Sequence, residues 1–146
     1  VEGVAGNATD NNILAILAKY GIYPGKVQLW GTGKPLREFL WSEEMADASV
    51  YIMEHIDFQD VRPEGNEVRN THINIGTGKE LSIKEVATLI QEKIGFDGEL
   101  VFDASKPDGT LRKLTDVSKL HALGWHHKIE IAEGVEFLYN WYLDKQ

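Results

Sequence analysis

The chain has 146 residues, of which 42% are hydrophobic and 26% charged, a composition typical of a folded domain rather than a disordered segment. Its 23 acidic residues against 15 Lys and Arg give a formal net charge of -8, which disfavours nucleic acid and anionic membranes as partners. The absence of cysteine excludes disulfides, thiolate catalysis and cysteine-based metal sites. No apolar run is long enough to span a bilayer, and a cytoplasmic location is expected.

The first part of the chain, residues 1–26, is expected to be a poorly defined lead-in that carries one short helix. Residues 1–12 are rich in Gly and Asn and show no hydrophobic period, so they are interpreted as a loop. Apolar residues then recur at helical spacing as far as Tyr20, and Gly21 stands where a helix commonly ends.

Two strands and a helix are predicted next. Residues 26–29 alternate between polar and apolar, and residues 36–41 form a second strand-like segment after a Gly-Thr-Gly break. Ser42 is a good N-cap for the helix that follows, and acidic residues occupy its first turn. The apolar residues of this helix share one face: Met45, Ala48, Ile52 and Ile56.

The middle of the chain is predicted to contain a surface connection, a short strand and a helix. Residues 57–71 are polar and contain Pro and Gly, which favours an irregular connection. Residues 73–75 alternate as a strand before a second Gly-Thr-Gly break. Ser82 and Glu85 then form a capping box, and Gly95 stops the helix.

The last third is predicted to hold a strand at residues 99–102, a Pro-Asp-Gly turn at 107–109 and two helices. Asp116 or Ser118 can cap the first of these helices. The second is amphipathic, with a stripe formed by Ile131, Val135, Leu138 and Tyr142. Helices and short strands therefore alternate, which indicates a mixed α/β fold with too few strands for a full doubly wound sheet.

The common catalytic signatures are missing. Neither Gly-Thr-Gly break has the third glycine of a dinucleotide fingerprint, so each is interpreted as a strand-ending turn. The P-loop pattern and the zinc-hydrolase helix are absent, and no Tyr is followed four residues later by Lys. The residues alone therefore indicate no catalytic centre, no cofactor site and no metal site.

Two segments carry charge and aromatic groups suited to a phosphorylated ligand. The loop 105–113 places Lys106, Arg112 and Lys113 around a turn, where charge-assisted hydrogen bonds could hold a phosphate. The segment 29–40 combines Trp30 with Arg37 beside flexible glycines, so an indole could stack and a guanidinium could pair with a diphosphate. A solvated charged loop and ordinary core packing are the alternatives.

Three runs of the sequence carry a further signal: WGTGKPLREFLWSEEMADA, HINIGTGKELSIKEVATLI and FDASKPDGTLRKLTDVSKLHALGW. Together they resemble the C-terminal part of the GDP-L-fucose synthases, also called GDP-4-keto-6-deoxy-D-mannose 3,5-epimerase/4-reductases, a family of extended short-chain dehydrogenases. The resemblance covers residues 27–142. The SKPDGTLRK loop is its most specific part.

The resemblance implies that residues 27–146 form a nucleotide-sugar substrate-binding domain. It places five residues at the GDP-sugar: Trp30, Arg37, Asp108, Arg112 and Lys113. It also implies that NADPH and the catalytic residues belong to an N-terminal Rossmann half of the parent enzyme, which this chain would lack. The chain alone would then be inactive, with the missing half and the GDP-sugar as its partners, and the parent enzyme could be a homodimer.

Two other functions stay open at this point. The same domain could belong to an epimerase or dehydratase that acts on a UDP-sugar or a dTDP-sugar. The chain could also be a stand-alone binding module.

Overall fold

The structure is a computed structural model that describes residues 9–65 and 68–145. Its helices and strands alternate along the chain, which confirms the mixed α/β class. In order they are α1 (Asp10–Lys19), β1 (Ile22–Tyr23), β2 (Lys26–Trp30), β3 (Leu36–Arg37), α2 (Ser42–His55), α3 (Phe58–Val61), β4 (Leu81–Ser82), α4 (Ile83–Ile94), β5 (Glu99–Asp103), α5 (Ser118–Ala122) and α6 (Ile131–Asp144). No helix within the described ranges has the length and apolar character needed to cross a bilayer.

The described residues form two compact units. The first unit comprises residues 9–35 and 82–111, and the second comprises the described parts of 36–81 and 112–145. The chain passes from one unit to the other after Pro35, Leu81 and Leu111.

The first unit contains a three-stranded sheet with the order β1-β2-β5. Strands β2 and β5 are parallel, with Lys26 opposite Glu99 and Trp30 opposite Asp103, whereas β1 is antiparallel to β2. Because parallel strands point the same way, Trp30 and Asp103 end at the same edge of the sheet. The strands predicted at 26–29 and 99–102 are confirmed, and this edge positions the loops that carry the candidate residues of this unit.

Helix α4 begins and ends as the sequence predicts. Ser82 Oγ accepts a hydrogen bond from the Glu85 backbone N–H at 3.1 Å, and Glu85 Oε2 accepts one from the Ser82 backbone N–H at 2.7 Å. The Ser82 hydroxyl also donates to Glu85 Oε2 at 2.7 Å, and this bond, with the one from the Ser82 backbone, holds the pKa of Glu85 below its ordinary value. Gly95 takes a left-handed conformation with φ +68°, which ends the helix.

The core of the second unit lies between α2 and α5. Ala48 and Leu120 are fully buried there, and Trp125 packs against them. The Trp125 indole N–H donates to Asp47 Oδ2 at 2.8 Å, so the buried polar atom of the ring is satisfied. The remaining contacts of the core come from partly buried apolar side chains: Leu40, Tyr51, Ile52, Ile73 and Ile75.

Ala48 and Ile52 of the apolar face predicted for α2 contribute to the core, but Met45 does not. Met45 is 44% exposed, whereas Glu44 is buried and accepts hydrogen bonds from the backbone N–H groups of Lys128 and Ile129. An acidic residue is buried here because it satisfies backbone donors of a loop, which a hydrophobic pattern cannot reveal. The N-cap is Trp41 rather than Ser42, and no side chain caps the helix.

The predicted connection and strands of the middle segment also need correction. Of the strand predicted at 36–41, only Leu36–Arg37 forms a strand, and residues 73–75 form none. Ile73 and Ile75 instead pack against the core as irregular chain. Within 57–71, Asp57 and Asp60 form a capping box that starts the short helix α3.

Three further predictions are modified, two in the terminal helices and one in the turn expected at 107–109. Helix α1 starts at Asp10, inside the segment expected to be irregular, while residues 1–8 lie outside the described residues. The turn expected at 107–109 lies at 104–105 instead, where Ser105 donates both its N–H and its hydroxyl to Asp103 Oδ1. In α6, Leu138 and Tyr142 of the predicted buried stripe are more than half exposed.

Candidate functional site

An exposed tryptophan marks the edge of the sheet in the first unit. Trp30 is the last residue of β2, and 74% of it is exposed. Lys106 Nζ lies 5.5 Å from the centroid of its ring, a distance at which a cation is attracted to an aromatic face. The core explanation for Trp30 is therefore wrong. The side chain offers a flat apolar surface bordered by a cation, as a ring-containing ligand requires.

The first Gly-Thr-Gly turn, residues 31–33, is held by a carboxylate from the cationic loop. Asp108 Oδ1 accepts the Thr32 backbone N–H at 2.8 Å, and Asp108 Oδ2 accepts the Thr32 hydroxyl at 2.6 Å. These bonds from Thr32, with a smaller attraction from Lys34, lower the pKa of Asp108 from its ordinary value. Asp108 therefore joins the loop 105–111 to the turn that follows Trp30.

The second Gly-Thr-Gly turn, residues 76–78, is held in the same way within the second unit. Glu38 Oε1 accepts the backbone N–H groups of Thr77 and Gly78, both at 2.6 Å, and Oε2 accepts the Thr115 N–H at 3.3 Å. Desolvation by burial raises the pKa of Glu38, but the hydrogen bonds from Thr115, Gly78 and Thr77 together outweigh it and lower the pKa below its ordinary value.

The hydrogen bonds that Asp108 and Glu38 accept determine whether the two Gly-Thr-Gly turns could bind a dinucleotide cofactor. A dinucleotide fold binds pyrophosphate through free backbone N–H groups in a glycine-rich turn. In both Gly-Thr-Gly turns, threonine or glycine N–H groups already donate to an acidic side chain of the chain itself. The two turns therefore do not fit NADPH. The first turn follows β2, as the sequence predicts for a strand-ending turn, whereas the second follows irregular chain, so that part of the prediction is wrong.

Arg37 lines a cavity of the second unit. This cavity has a volume of about 430 Å³, and its walls combine apolar and charged side chains that include Phe39, Lys79, Glu80, Glu130 and Ile131. Lys79 forms an ion pair with Glu130. The Arg37 guanidinium donates to its neighbouring carbonyl, that of Leu36, at 2.6 Å. A cavity with apolar walls and a few fixed charges has the usual character of a small-molecule site.

Arg112 and Lys113 lie in the segment that enters the second unit. Arg112 Nε pairs with Glu80 Oε1 at 2.6 Å, and Glu80 lines the cavity that Arg37 also lines. Lys113 is exposed and lies two residues before Thr115, which donates to Glu38. Arg37 and Arg112 are therefore brought to one neighbourhood through Glu80, and Lys113 is anchored nearby along the chain.

The histidines belong to no cluster of potential metal ligands among the described residues. Within the part of the chain that the structure describes, no cluster of three or more His, Cys, Asp or Glu could hold a metal ion. The rings of His121 and His126 stack with centroids 4.2 Å apart. Burial first, and then the neighbouring imidazoles of His126 and His127, lower the pKa of His121.

The five predicted site residues are divided between the two units. Trp30 and Asp108 belong to the first unit, where Thr32 connects them, and the three cations belong to the second: Arg37, Arg112 and Lys113. Sequence reasoning did not single out Glu38 or Thr32. The repeated Gly-Thr-Gly pattern was the available signal, because a turn with exposed N–H groups needs an acceptor.

Comparison with known proteins places the chain in a family. The sequence model of the NAD dependent epimerase/dehydratase family matches residues 2–76, just over half of the chain. The chain belongs to this family. It is 47% identical over 120 residues to GDP-L-fucose synthase from Escherichia coli (strain K12), a match that covers 82% of the chain and 37% of that relative.

Two solved structures with the same fold are of enzymes named for GDP-heptoses. A GDP-6-OMe-4-keto-L-xylo-heptose reductase from C. jejuni matches with a TM-score of 0.89 at 45% identity, over 95% of this chain and 40% of that one. A GDP-D-glycero-L-gluco-heptose synthase from Campylobacter jejuni, solved in the presence of NADPH, matches with a TM-score of 0.84 at 44% identity, over 93% and 38%. The chain thus spans about two fifths of the length of these proteins.

Proposed function

We propose that this chain is the substrate-binding part of a GDP-L-fucose synthase, in which residues 27–146 form the nucleotide-sugar domain. The parent enzyme would epimerise GDP-4-keto-6-deoxy-D-mannose next to its ketone and reduce that ketone with hydride from NADPH and a proton. The 47% identity to the Escherichia coli enzyme supports this substrate, and the two GDP-heptose enzymes support the nucleotide.

The observation that carries the proposal is the cluster around Glu80. Arg37 lines the 430 Å³ cavity with Glu80, and Arg112 pairs with Glu80 at 2.6 Å, so two guanidinium groups gather at one place in a chain of net charge -8. Arg offers a planar fork that matches phosphate oxygens. We assign the diphosphate contacts to Arg37, Arg112 and Lys113.

Contacts with the rest of the sugar nucleotide are assigned to Trp30 and Asp108. The exposed indole of Trp30 supplies a stacking surface. Asp108 is held by Thr32, yet its carboxylate has lone pairs left for a ribose or sugar hydroxyl. These assignments follow the resemblance of the surrounding motifs, and each can be tested by itself.

NADPH binding and the chemical steps are assigned to a Rossmann half elsewhere in the parent enzyme. The carboxylate-filled Gly-Thr-Gly turns support this division, because they leave no free cradle for pyrophosphate in either turn. An assay of the chain with NADPH and the keto-sugar substrate should show no sustained oxidation of NADPH. Turnover would show that the catalytic residues are present in these 146 residues.

Nucleotide specificity provides the direct test. GDP should raise the midpoint of thermal unfolding of the chain, because a ligand that binds only the folded state stabilises it in proportion to its concentration over Kd. UDP and dTDP at the same concentration should leave the midpoint unchanged. A shift with UDP or dTDP instead would favour an epimerase of a different nucleotide sugar, and a shift with none of them would contradict the proposed function.

A further inference from the structure

Glu38 connects three separate segments of the second unit through one carboxylate. Its backbone belongs to the segment that follows β3, and its oxygens accept hydrogen bonds from Thr77 and Gly78 at 2.6 Å and from Thr115 at 3.3 Å. The Thr77 hydroxyl is also 3.3 Å from Oε1. Thr77 and Thr115 lie 39 and 77 residues from Glu38 along the chain, so this carboxylate is a long-range crosslink.

Each segment that Glu38 joins carries a cation of the second unit. Arg37 directly precedes Glu38, Lys79 directly follows the second Gly-Thr-Gly turn, and Arg112 and Lys113 precede Thr115 by three and two residues. Arg37 and Lys79 also line the same cavity. A shift of any of the three segments would therefore move at least one cation relative to the others.

We propose that Glu38 is a positioning residue that fixes the three cation-bearing segments of this unit in the arrangement that a nucleoside diphosphate needs. The inference rests on the proposed function and adds to it a residue that touches no ligand. Preorganised donors bind more tightly because little conformational entropy is lost when the ligand arrives.

The negative charge of Glu38 is compatible with a nearby anion site because hydrogen-bond donors of the chain already stabilise it. Two backbone N–H groups at 2.6 Å, with the Thr115 N–H and the Thr77 hydroxyl, surround the carboxylate. Such donors stabilise the ionised form, in agreement with the lowered pKa of Glu38. Gly76 makes room for the group, since a Cβ at this position would lie 2.5 Å from Glu38 Oε1.

The substitution Glu38→Gln tests this role with little change of shape. The amide can accept from the turn with its oxygen, but its NH₂ group cannot accept from the second donor segment. Glu54→Gln, an exposed position on α2, is the matched control for loss of one charge. Each full chain is titrated with GDP by calorimetry, and the hydrogen exchange of the Gly78 and Thr115 amides is measured without ligand.

We expect Glu38→Gln to bind GDP about tenfold more weakly, to exchange the Thr115 amide faster and to keep its dispersed NMR spectrum, while Glu54→Gln matches the wild type. Equal GDP affinity in the wild type and Glu38→Gln would overturn the positioning role and leave the proposed function intact. Failure of the wild type to bind GDP would overturn the proposed function and this role with it. If Glu38→Gln is unfolded, Glu38→Asp takes its place, and unchanged affinity in that variant overturns the role.

Discussion

Asp108 binds Thr32 with both carboxylate oxygens, one to the backbone N–H at 2.8 Å and one to the hydroxyl at 2.6 Å, across 76 residues of sequence. Glu38 holds the second Gly-Thr-Gly turn in a comparable way. In each unit, backbone N–H groups of the kind that bind phosphate thus donate to a carboxylate of the chain itself. The acidic side chains act as structural crosslinks, and the proposed function assigns phosphate recognition to Arg and Lys instead.

Loss of the Asp108 charge should loosen the first turn. Asn at position 108 keeps one acceptor oxygen but replaces the other with a donor, so one of the two bonds from Thr32 is lost. We expect Asp108→Asn to exchange the Thr32 amide faster, as measured by hydrogen exchange with NMR. Asp97→Asn, an exposed position in the same unit, controls for the change of charge. Equal exchange in both variants would contradict the crosslink.

Gly31 and Gly25 allow the cost of a close approach to be separated from the cost of backbone conformation. Both have positive φ, +81° and +68°, but a Cβ at Gly31 would overlap Asp108 Oδ1, whereas a Cβ at Gly25 meets nothing within 4 Å. Ala at either position should cost about 1–2 kcal/mol for the left-handed backbone. Urea unfolding should show a larger loss of stability for Gly31→Ala than for Gly25→Ala. Equal losses of stability would contradict a steric constraint between position 31 and Asp108.

The cations should contribute to ligand binding and little to folding. Arg37→Ala and Lys113→Ala should each weaken GDP binding by roughly tenfold, the effect of removing one charge-assisted hydrogen bond of about 1.5 kcal/mol. Lys145→Ala, an exposed position after α6, should bind as the wild type does. Calorimetric titration measures the affinity. A fall in the unfolding midpoint without a change in Kd would show that these residues support the fold instead.

Acid should unfold the chain partly through Glu38 and Asp108. The pKa of each is lower in the folded protein than its ordinary value, so the unfolded state binds more protons as the pH falls. Their contribution is complete above the unfolded pKa values, 4.5 for Glu and 3.8 for Asp, and is lost as the pH falls through the lowered ones. Urea unfolding between pH 6 and pH 3 should therefore show a shallower pH dependence for Glu38→Gln and Asp108→Asn than for Glu54→Gln and Asp97→Asn.

The capping box that starts helix α4 was predicted from the sequence, and a substitution can test its contribution to stability. Ser82→Ala removes one half of the capping box and should destabilise the chain by about 1 kcal/mol. Ser42→Ala serves as the comparison, because Ser42 is exposed in the first turn of α2, a helix whose start no side chain caps. Thermal unfolding should show a lower midpoint for Ser82→Ala than for Ser42→Ala.

Local signals account for the parts of the fold that were predicted correctly. The capping box of α4, the alternation in β2 and the glycine after α4 are each determined by neighbours in sequence. The errors have long-range causes. Glu44 is buried where the backbone of residues 128–129 supplies donors, and Ile75 packs as irregular chain against a core formed by residues distant in sequence. Hydrophobic periodicity contains no information about either partner.

For the candidate site, too, the chemistry of single residues was predictable and the contacts between distant segments were not. An exposed Trp30 beside Lys106, and cations near one cavity, agree with what residue chemistry suggests about a diphosphate ligand. The pairing of Arg112 with Glu80, and the anchoring of Thr32 and Thr115 by carboxylates, depend on contacts between distant segments. Composition identifies the groups that could bind, whereas only the fold shows which charges are already paired.

An NMR titration of the wild-type chain with GDP tests whether these residues bind the nucleotide of a GDP-sugar. With GDP we expect saturable shifts of the Trp30 indole signal and of the amides of residues 112–115, and with UDP neither shift. Shifts confined to unrelated surfaces, or an unchanged spectrum at millimolar GDP, would contradict the assignment of this chain as a GDP-sugar-binding domain.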